Sequence, residues 1–483
     1  LAPSLSMFSY PQPENILVIK SKKGFKNFII VIKKRLLKTI NSLFTKNNAA
    51  FIKAILLGEK ENLSYHQEDL LRKSGASHLL AISGLHMGII ILSFSFVLFK
   101  IFPDKKSALY ILTFFTIIYV FMVGSSVSII RAFLLALLFL WASEFNCEAY
   151  FLNIISLTLL INLLIDPLAL FTVSLQLSYI LVISLFFITP LLNKFMPVVL
   201  AVSLAAQLAA LALTAYYFNE YSYIALFTNL WVIPAISILL PFIFLFVLLS
   251  LINTNIFITF AITIEFFLQH LFKGLEIMTL IQKRPLVIAK PPLLLIILYY
   301  LTLFLLPYLY QKRIIYLNAK KYFFWQKADL VIFLLIFILL FTNPETGLLE
   351  INFIAVGQGD GVFIKFPDGT NLLLDTGPPG SDGRNIEYNI ISFLNNNGIS
   401  KIDYLMLSHF DADHVGGIEH LLTRKEIGVI MLPPFKEKSR YHKVIEENLN
   451  KNLKLIYLKE GMNLMISNCK LIILNPSKNK IHD

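Results

Sequence analysis

From Leu79 to Thr342 the chain is a succession of long apolar runs divided by short polar breaks, and beyond Asn343 the runs shorten to strand length between turn residues. A helix crosses a bilayer with about 20 apolar residues. The candidate spans are Leu79–Phe102, Ala108–Val123, Val127–Ala142, Phe151–Ile165, Leu170–Leu192, Val198–Phe218, Ile224–Leu251, Ile256–Leu271, Leu293–Tyr310 and Leu330–Thr342. Several are short, and Pro234 and Pro241 interrupt one of them. That pattern predicts some broken or re-entrant segments, which are tolerated where they are buried in protein or line a wet cavity.

Ahead of the first span, "GFKNFIIVIKKRLLKTINSLF" (Gly24 to Phe44) places Phe25, Phe28, Ile29, Ile32, Leu36, Ile40 and Leu43 at helical spacing, with Lys26, Lys33, Arg35 and Lys38 largely elsewhere. The expectation is a basic amphipathic helix on the membrane surface. A core helix of a small soluble region is the alternative.

After the last span, "LLEINFIAVGQGDGVFIKFPDGTNLLLDTGP" alternates apolar residues around a turn at Pro367 to Gly369, and its second strand ends at Asp375, Thr376 and Gly377. A helix-like "EYNIISFLNNNG" follows, and then "KIDYLMLSHFDADHVGG", in which a buried strand runs into a charged cluster. The expected result is a β-rich domain with a ligand-bearing loop at a strand end.

Composition supports this division. The 483 residues are 57% hydrophobic and 15% charged, with a mean hydropathy of +0.70, whereas soluble domains carry about 25% charged residues. Asn343–Asp483 holds 15 Lys and Arg against 17 Asp and Glu, which leaves 27 against 13 before it. The basic excess therefore belongs to the membrane part, as expected for cytoplasmic loops and headgroup contacts; attraction of a polyanion is the sharper reading. "QKRIIYLNAKKYFFWQK", with Lys312, Arg313, Lys320, Lys321 and Lys327, is the best cytoplasmic loop, and one further span then puts the soluble tail outside the cytoplasm. The basic stretch Lys273 to Lys290 flanks the same span and argues the other way. Cys147 and Cys469 provide neither a disulfide framework nor a Cys-based zinc site.

His409, Asp411, Asp413 and His414 come from one loop. Such donors can hold two divalent ions about 3.5 to 4 Å apart, close enough to share and acidify a water. Carboxylates among imidazoles make manganese as plausible as zinc. A solvated acidic loop with incidental histidines is the alternative, and the preceding strand and trailing Gly416-Gly417 speak against it. Within the spans, His86, Arg131, Gln176 and Gln207 interrupt apolar runs. Each alone reads as a side chain bonded to a neighbouring helix, and together they suggest a polar route through the bundle. Ala201, Ala205 and Ala209, four apart, allow close helix packing.

"SHLLAISGLHMG" (Ser77 to Gly88), "SIIRAFLLAL", "DPLALFTVSLQLSY" and "LFTNLWVIP" resemble the competence domain of ComEC-type proteins, and the likeness runs from about Ala54 to nearly the end of the chain. The tail resembles the metallo-β-lactamase superfamily, whose His-x-His-x-Asp-His pattern reads here with Asp411 in place of the second histidine. The implied fold is a polytopic α-helical membrane bundle followed by an incomplete α/β metallo-β-lactamase-like domain of αββα type. The implied division is 1–50 for the end of an N-terminal region with the basic helix and 51–310 for the transmembrane domain. A basic loop and last helix take 311–342, and the partial tail domain takes 343–483.

By the same resemblance His409 and Asp411 serve one divalent ion, Asp413 and His414 the other, zinc or manganese, with Asp413 and His414 as the catalytic candidates. Asp375 stands near the metals, and "VGQGD" (Val356 to Asp360) is the second tail motif. His86, Arg131 and Gln176 are the channel candidates. The implied function is uptake of single-stranded DNA across the bacterial inner membrane in natural transformation, with a metal-dependent nuclease tail on the non-cytoplasmic side. DNA, membrane lipid and other DNA-uptake proteins are the implied partners, and a second copy of the chain is a further candidate. A membrane-anchored hydrolase of a small phosphodiester, thioester or lipid is one alternative, and a transport fragment without catalysis is another. His420, His442 and His482 match none of the family's later ligands, and the chain opens on Leu1, so a truncated or split reading frame is expected.

Overall fold

The computed structural model describes residues 24–80, 84–124, 127–145, 150–251, 258–311, 331–340, 347–380, 384–434, 439–447 and 453–475. The loop carrying Lys312, Arg313, Lys320, Lys321 and Lys327, together with Cys147 and His482, lies outside these residues.

The apolar runs fold as α1 (Phe25–Leu43), α2 (Lys46–Leu57), α3 (Tyr65–Lys73), α4 (Gly84–Ile101), α5 (Lys105–Val123), α6 (Val127–Glu144), α7 (Phe151–Ile165), α8 (Val173–Phe187), α9 (Thr189–Leu192), α10 (Val198–Phe218), α11 (Ala225–Ser250), α12 (Ile258–Ile281) and α13 (Leu293–Gln311). Among the described residues six helices are long and apolar enough to cross a membrane: Gly84–Ile101, Lys105–Val123, Val173–Leu192, Val198–Phe218, Ala225–Ser250 and Ile258–Ile281. The chain is a multi-pass membrane protein. Ser77–Leu79, at the head of the first expected span, is a single 3-10 turn, and the helix that follows is described from Gly84 on, with residues 81–83 outside the described residues.

Pro234 and Pro241 do not break their helix, contrary to expectation; α11 runs unbroken through both. Val232, Ile236, Leu240 and Ile243 form its fully buried face, and packed neighbours of this kind let a membrane helix absorb proline. Ala201, Ala205 and Ala209 of α10 are also fully buried. Their small side chains let α8 and α13 approach, so that Ser184 Oγ donates to the Ala205 carbonyl and Tyr300 Oη to the Ala209 carbonyl, each at 2.8 Å.

The amphipathic segment is a helix, and part of its apolar stripe packs on protein. Ile29, Leu36 and Ile40 of α1 are buried in one core with Phe51 and Ile55 of α2 and Leu240 of α11. Phe25 and Phe28 remain exposed.

The tail contains one six-stranded sheet in the order β3-β4-β5-β6-β7-β8, where β3 is Glu350–Phe353, β4 Val362–Lys365, β5 Asn371–Leu374, β6 Lys401–Met406, β7 Glu426–Leu432 and β8 Lys454–Tyr457. The strands β3 to β5 pair antiparallel and β5 to β8 parallel. The parallel crossovers are helical: α14 (384–396, with a π turn at Glu387–Ile391), α15 (Ala412–Val415) with α16 (Ile418–Arg424), and α17 (Arg440–Glu447). Side chains alternate along each strand. Leu373, Leu405 and Ile430 accordingly meet Ile390, Leu421 and Ile445 of the helices, whereas Leu372 and Met431 meet Ile466 of the hairpin β9 (Asn463–Ile466) and β10 (Cys469–Ile472) on the opposite face.

The tail seats on one end of the bundle. There β1 (Glu220–Tyr221) and β2 (Leu286–Val287) pair antiparallel and join the ends of α10 and α12. Arg424, at the end of α16, donates from Nη2 to Glu220 Oε1 at 2.9 Å and from Nε to Glu387 Oε2 at 2.8 Å. Asn395 Nδ2 donates to Glu220 Oε1 at 2.8 Å, and Arg72 of α3 lies 3.4 Å from Glu220 Oε2. His420 Nε2 stands 2.8 Å from Glu387 Oε2, with its ring against Tyr65. Arg284 Nη2 donates to the Leu422 carbonyl and the Lys290 amide to the Asn396 carbonyl. The Arg284 side chain and the Lys290 backbone, both of the stretch Lys273 to Lys290, thus take part in seating the tail. Burial raises the Glu220 carboxyl above its ordinary pKa, and Arg72 opposes that shift.

Candidate metal centre

The site forms at the carboxyl ends of β5 and β6, where the sheet changes from antiparallel to parallel pairing. Open α/β sheets bind ligands outside the carboxyl ends of their strands. The chain leaves β5 through Asp375, whose φ of 58° is left-handed, a conformation uncommon outside glycine. The carboxylate is 2% exposed and accepts from the Ser408 amide at 2.8 Å and the Ser408 hydroxyl at 2.6 Å.

Both histidines depend on this carboxylate. His414 Nδ1 lies 2.9 Å from Asp375 Oδ2, and His409 Nδ1 lies 2.8 Å from the Ser408 hydroxyl that donates to Asp375. Assigned from this network, each Nδ1 carries the hydrogen and each Nε2 is left as a ligand atom. His414 Nε2 stands 3.5 Å from Asp413 Oδ2, His409 Nε2 stands 3.4 Å from Asp411 Oδ2, and the two rings are 3.9 Å apart.

Two groups of donors lie close enough to hold an ion: His409 with Asp413 and His414, and Asp360 with Asp375 and His414. Asp411 is in neither group, since it is the exposed residue before α15 and its side chain is 77% accessible. Burial works against a charge on His414. Its hydrogen bond to Asp375, and the carboxylates of Asp375, Asp413 and Asp360, outweigh burial and raise its pKa above that of a free imidazole. The donor set is two imidazoles among several carboxylates, which fits a divalent cation with hard or borderline preferences.

Glycines bring the loops this close. Gly359 has a φ of 132°, and a Cβ there would collide with the Asp413 carbonyl; the same close approach carries Asp360 in, with Oδ2 3.7 Å from His414 Nδ1. At Gly417 a Cβ would lie 2.7 Å from the Thr376 carbonyl. The Thr376 amide in turn donates to the His414 carbonyl at 2.7 Å.

Sequence reasoning missed two participants. Asp360 lies in the quoted "VGQGD" and Ser408 directly precedes the histidine cluster, so position alone was a signal for both. Among the described residues His420 and His442 join neither donor group. His420 belongs to the seat of the tail, and His442 Nδ1 faces Glu446 Oε1 at 3.4 Å.

In the bundle His86 is fully buried and Arg131 is 4% exposed. The guanidinium lies over the Tyr179 ring at 5.4 Å, and Tyr179 Oη is 3.3 Å from Thr158 Oγ1. Gln176 is not brought to Arg131 by any contact described; it accepts from Tyr217 Oη at 3.0 Å and donates to the Leu170 carbonyl at 3.0 Å. Gln207 is half-buried in α10.

Comparison with known proteins matches this division. Residues 55–313 match the Competence protein family and residues 354–460 the Metallo-beta-lactamase superfamily. The chain is 25% identical over 477 residues to ComE operon protein 3 of Bacillus subtilis (strain 168), an alignment that covers 94% of this chain and 60% of that protein. The chain thus spans about 60% of the length of the curated relative it matches. No solved structure matches it. The metallo-beta-lactamase domain implies divalent-metal binding, in keeping with the donors at the ends of β5 and β6. Since the competence match alone takes in more than half of the residues, the chain belongs to the Competence protein family.

Proposed function

We propose that the bundle conducts a single strand of DNA across the bacterial inner membrane during natural transformation, and that the tail is a nuclease acting on the strand left behind. One observation carries this reading: a competence-type bundle and a metal-donor cluster belong to one chain and are seated on each other through Arg424 and Glu220. A domain serving only as an anchor has no need of a buried ion pair to its hydrolase. The basic loop Lys312 to Lys327 supports a cytoplasmic end opposite the tail, which leaves the tail on the non-cytoplasmic side.

His409, Asp413 and His414 would hold one ion, with Asp360 and Asp375 beside a second, zinc or manganese. Bound divalent ions supply charge neutralisation and Lewis acidity at a phosphodiester. The chain's own work is orientation: Asp375 and Ser408 fix both imidazoles, and the Asp413 side chain, 53% accessible, stands open to substrate. DNA, membrane lipid and other DNA-uptake proteins are the partners of this reading. The test is cleavage of labelled DNA by the purified full chain with added zinc or manganese. Asp413→Ala is expected to remove metal-dependent cleavage, and unchanged cleavage would overturn the nuclease assignment.

A further inference from the structure

The helix α12 carries two seams. Ala261, Ile264, Leu268, Leu271 and Leu275 follow one another at steps of three and four, and they are buried in one core with Leu240 and Val247 of α11. Ile262, Phe266, Gln269, Lys273, Glu276 and Leu280 repeat the same steps on the opposite side. At about 100° per residue these six fall within about 80° of the helix circumference, and all of them are exposed. Steps of three and four average 3.5 residues, the spacing of helices packed side by side. From Ile262 to Leu280 the outer seam runs about 27 Å, close to the thickness of a bilayer core.

The outer seam does not suit lipid. Its ends are apolar, but Gln269, Lys273 and Glu276 stand in the middle of a helix long and apolar enough to cross a membrane. A charge facing hydrocarbon at that depth is costly, and such side chains turn to protein, to a wet cavity or to one another. Polar groups beside the seam have partners within the chain: Glu265 accepts from the Thr45 amide, and His270 Nδ1 lies 2.8 Å from the Phe266 carbonyl. Among the described residues the side chains of Gln269 and Lys273 have none, and Glu276 has only the exposed His66, 3.8 Å away. The inner seam is thus used within the chain, and the outer one has the same period without a helix to receive it.

We propose that the outer seam of α12 docks on the same seam of a second copy of the chain within the membrane, the two helices running parallel about a two-fold axis along the membrane normal. In that arrangement the seam is complementary to itself. Gln269 of one copy meets Gln269 of the other, and an amide both donates to its twin and accepts from it. Lys273 of each copy faces the next layer of the other, which is Glu276, so the two-fold axis makes two Lys–Glu pairs. Ile262, Phe266 and Leu280 close the seam on either side of the polar layers. A face for lipid tails would be apolar throughout and a face for a polyanion basic throughout; opposite charges in adjacent layers fit a twin. The inference does not depend on what the bundle conducts.

The experiment uses the full chain with Cys147→Ser and Cys469→Ser, reconstituted in phosphatidylcholine vesicles over a series of lipid-to-protein ratios. A single cysteine is placed in the seam by Ile262→Cys, or beside it by Phe267→Cys, which is also exposed, and oxidative cross-linking is read as dimer. Ile262→Cys is expected to give dimer and Phe267→Cys to stay monomeric. Added to Ile262→Cys, Lys273→Glu or Glu276→Lys should each lower about tenfold the dilution at which half the dimer is lost. The two together exchange the charges and should restore it, which a merely misfolded chain would not do. Equal cross-linking at both cysteine positions would overturn the seam as the contact, and a double variant as weak as the single ones would overturn the Lys273–Glu276 pairing. A monomeric Ile262→Cys at every dilution would overturn the second copy as occupant. In that case labelling of Gln269→Cys by a membrane-impermeant maleimide would assign the seam to a wet groove, and protection from it to lipid.

Discussion

His414 Nδ1 and Asp375 Oδ2 lie 2.9 Å apart, and through Ser408 the same carboxylate also reaches His409. One buried acid therefore sets the tautomer of two histidines.

Replacing that acid by its amide should separate the orienting role from the fold. In Asp375→Asn one acceptor oxygen is lost, and an N–H can be turned toward Ser408 or His414. Metal affinity, measured by titration with zinc or manganese, is expected to fall about 10- to 100-fold. An unchanged affinity would show that the histidines are oriented by other means.

The raised pKa of His414 gives metal binding a pH dependence. The metal-free domain gains stability from the protonated ring among its carboxylates. That gain is complete below the ordinary imidazole value and is lost as pH rises through the raised one. A bound ion requires the neutral ring. The shift in melting temperature on adding metal should thus grow between pH 6 and pH 8, with protons released on binding; a shift independent of pH would contradict this.

Arg424 is the cation shared by Glu220 and Glu387. Its removal leaves Glu220 to Arg72 and takes the guanidinium from Glu387, and deleting one partner of a buried pair costs about 3–5 kcal/mol. Arg424→Ala should expose the seat to limited proteolysis, whereas Arg440→Ala, whose exposed pair with Glu419 is 3.9 Å long, should leave digestion as it is.

A Cβ at Gly359 meets the Asp413 carbonyl on a backbone with φ of 132°. Gly359→Ala should therefore push the "VGQGD" loop away and weaken metal binding without touching a ligand. Gly461, with φ of 80° and open space around it, provides the control: Gly461→Ala should cost some stability and leave metal affinity unchanged.

The apolar helices were legible because hydropathy is a local property: Phe151–Ile165 and Val198–Phe218 begin and end as the apolar runs do, although of the two only Val198–Phe218 is long enough to cross a membrane. The cluster His409 to His414 was legible because its donors share one loop. Asp360 was not, because its place depends on the left-handed turn at Gly359 and a neighbour more than fifty positions away. The seat of the tail was the least legible part. Arg424 and Glu220 are 204 positions apart, and no periodicity connects an acid after α10 with a base at the end of α16. The continuous α11 escaped sequence reading for a related reason, since proline's effect on a helix depends on what packs around it.

The helix α16 has the metal loop at one end and Arg424 at the other. Its seven residues measure about 10 Å, too short a rod to bend. Were the β1–β2 end of the bundle to tilt when the donor cluster fills, α16 would carry the movement between Glu220 and the loop of His414, and linkage would make the two effects equal in free energy.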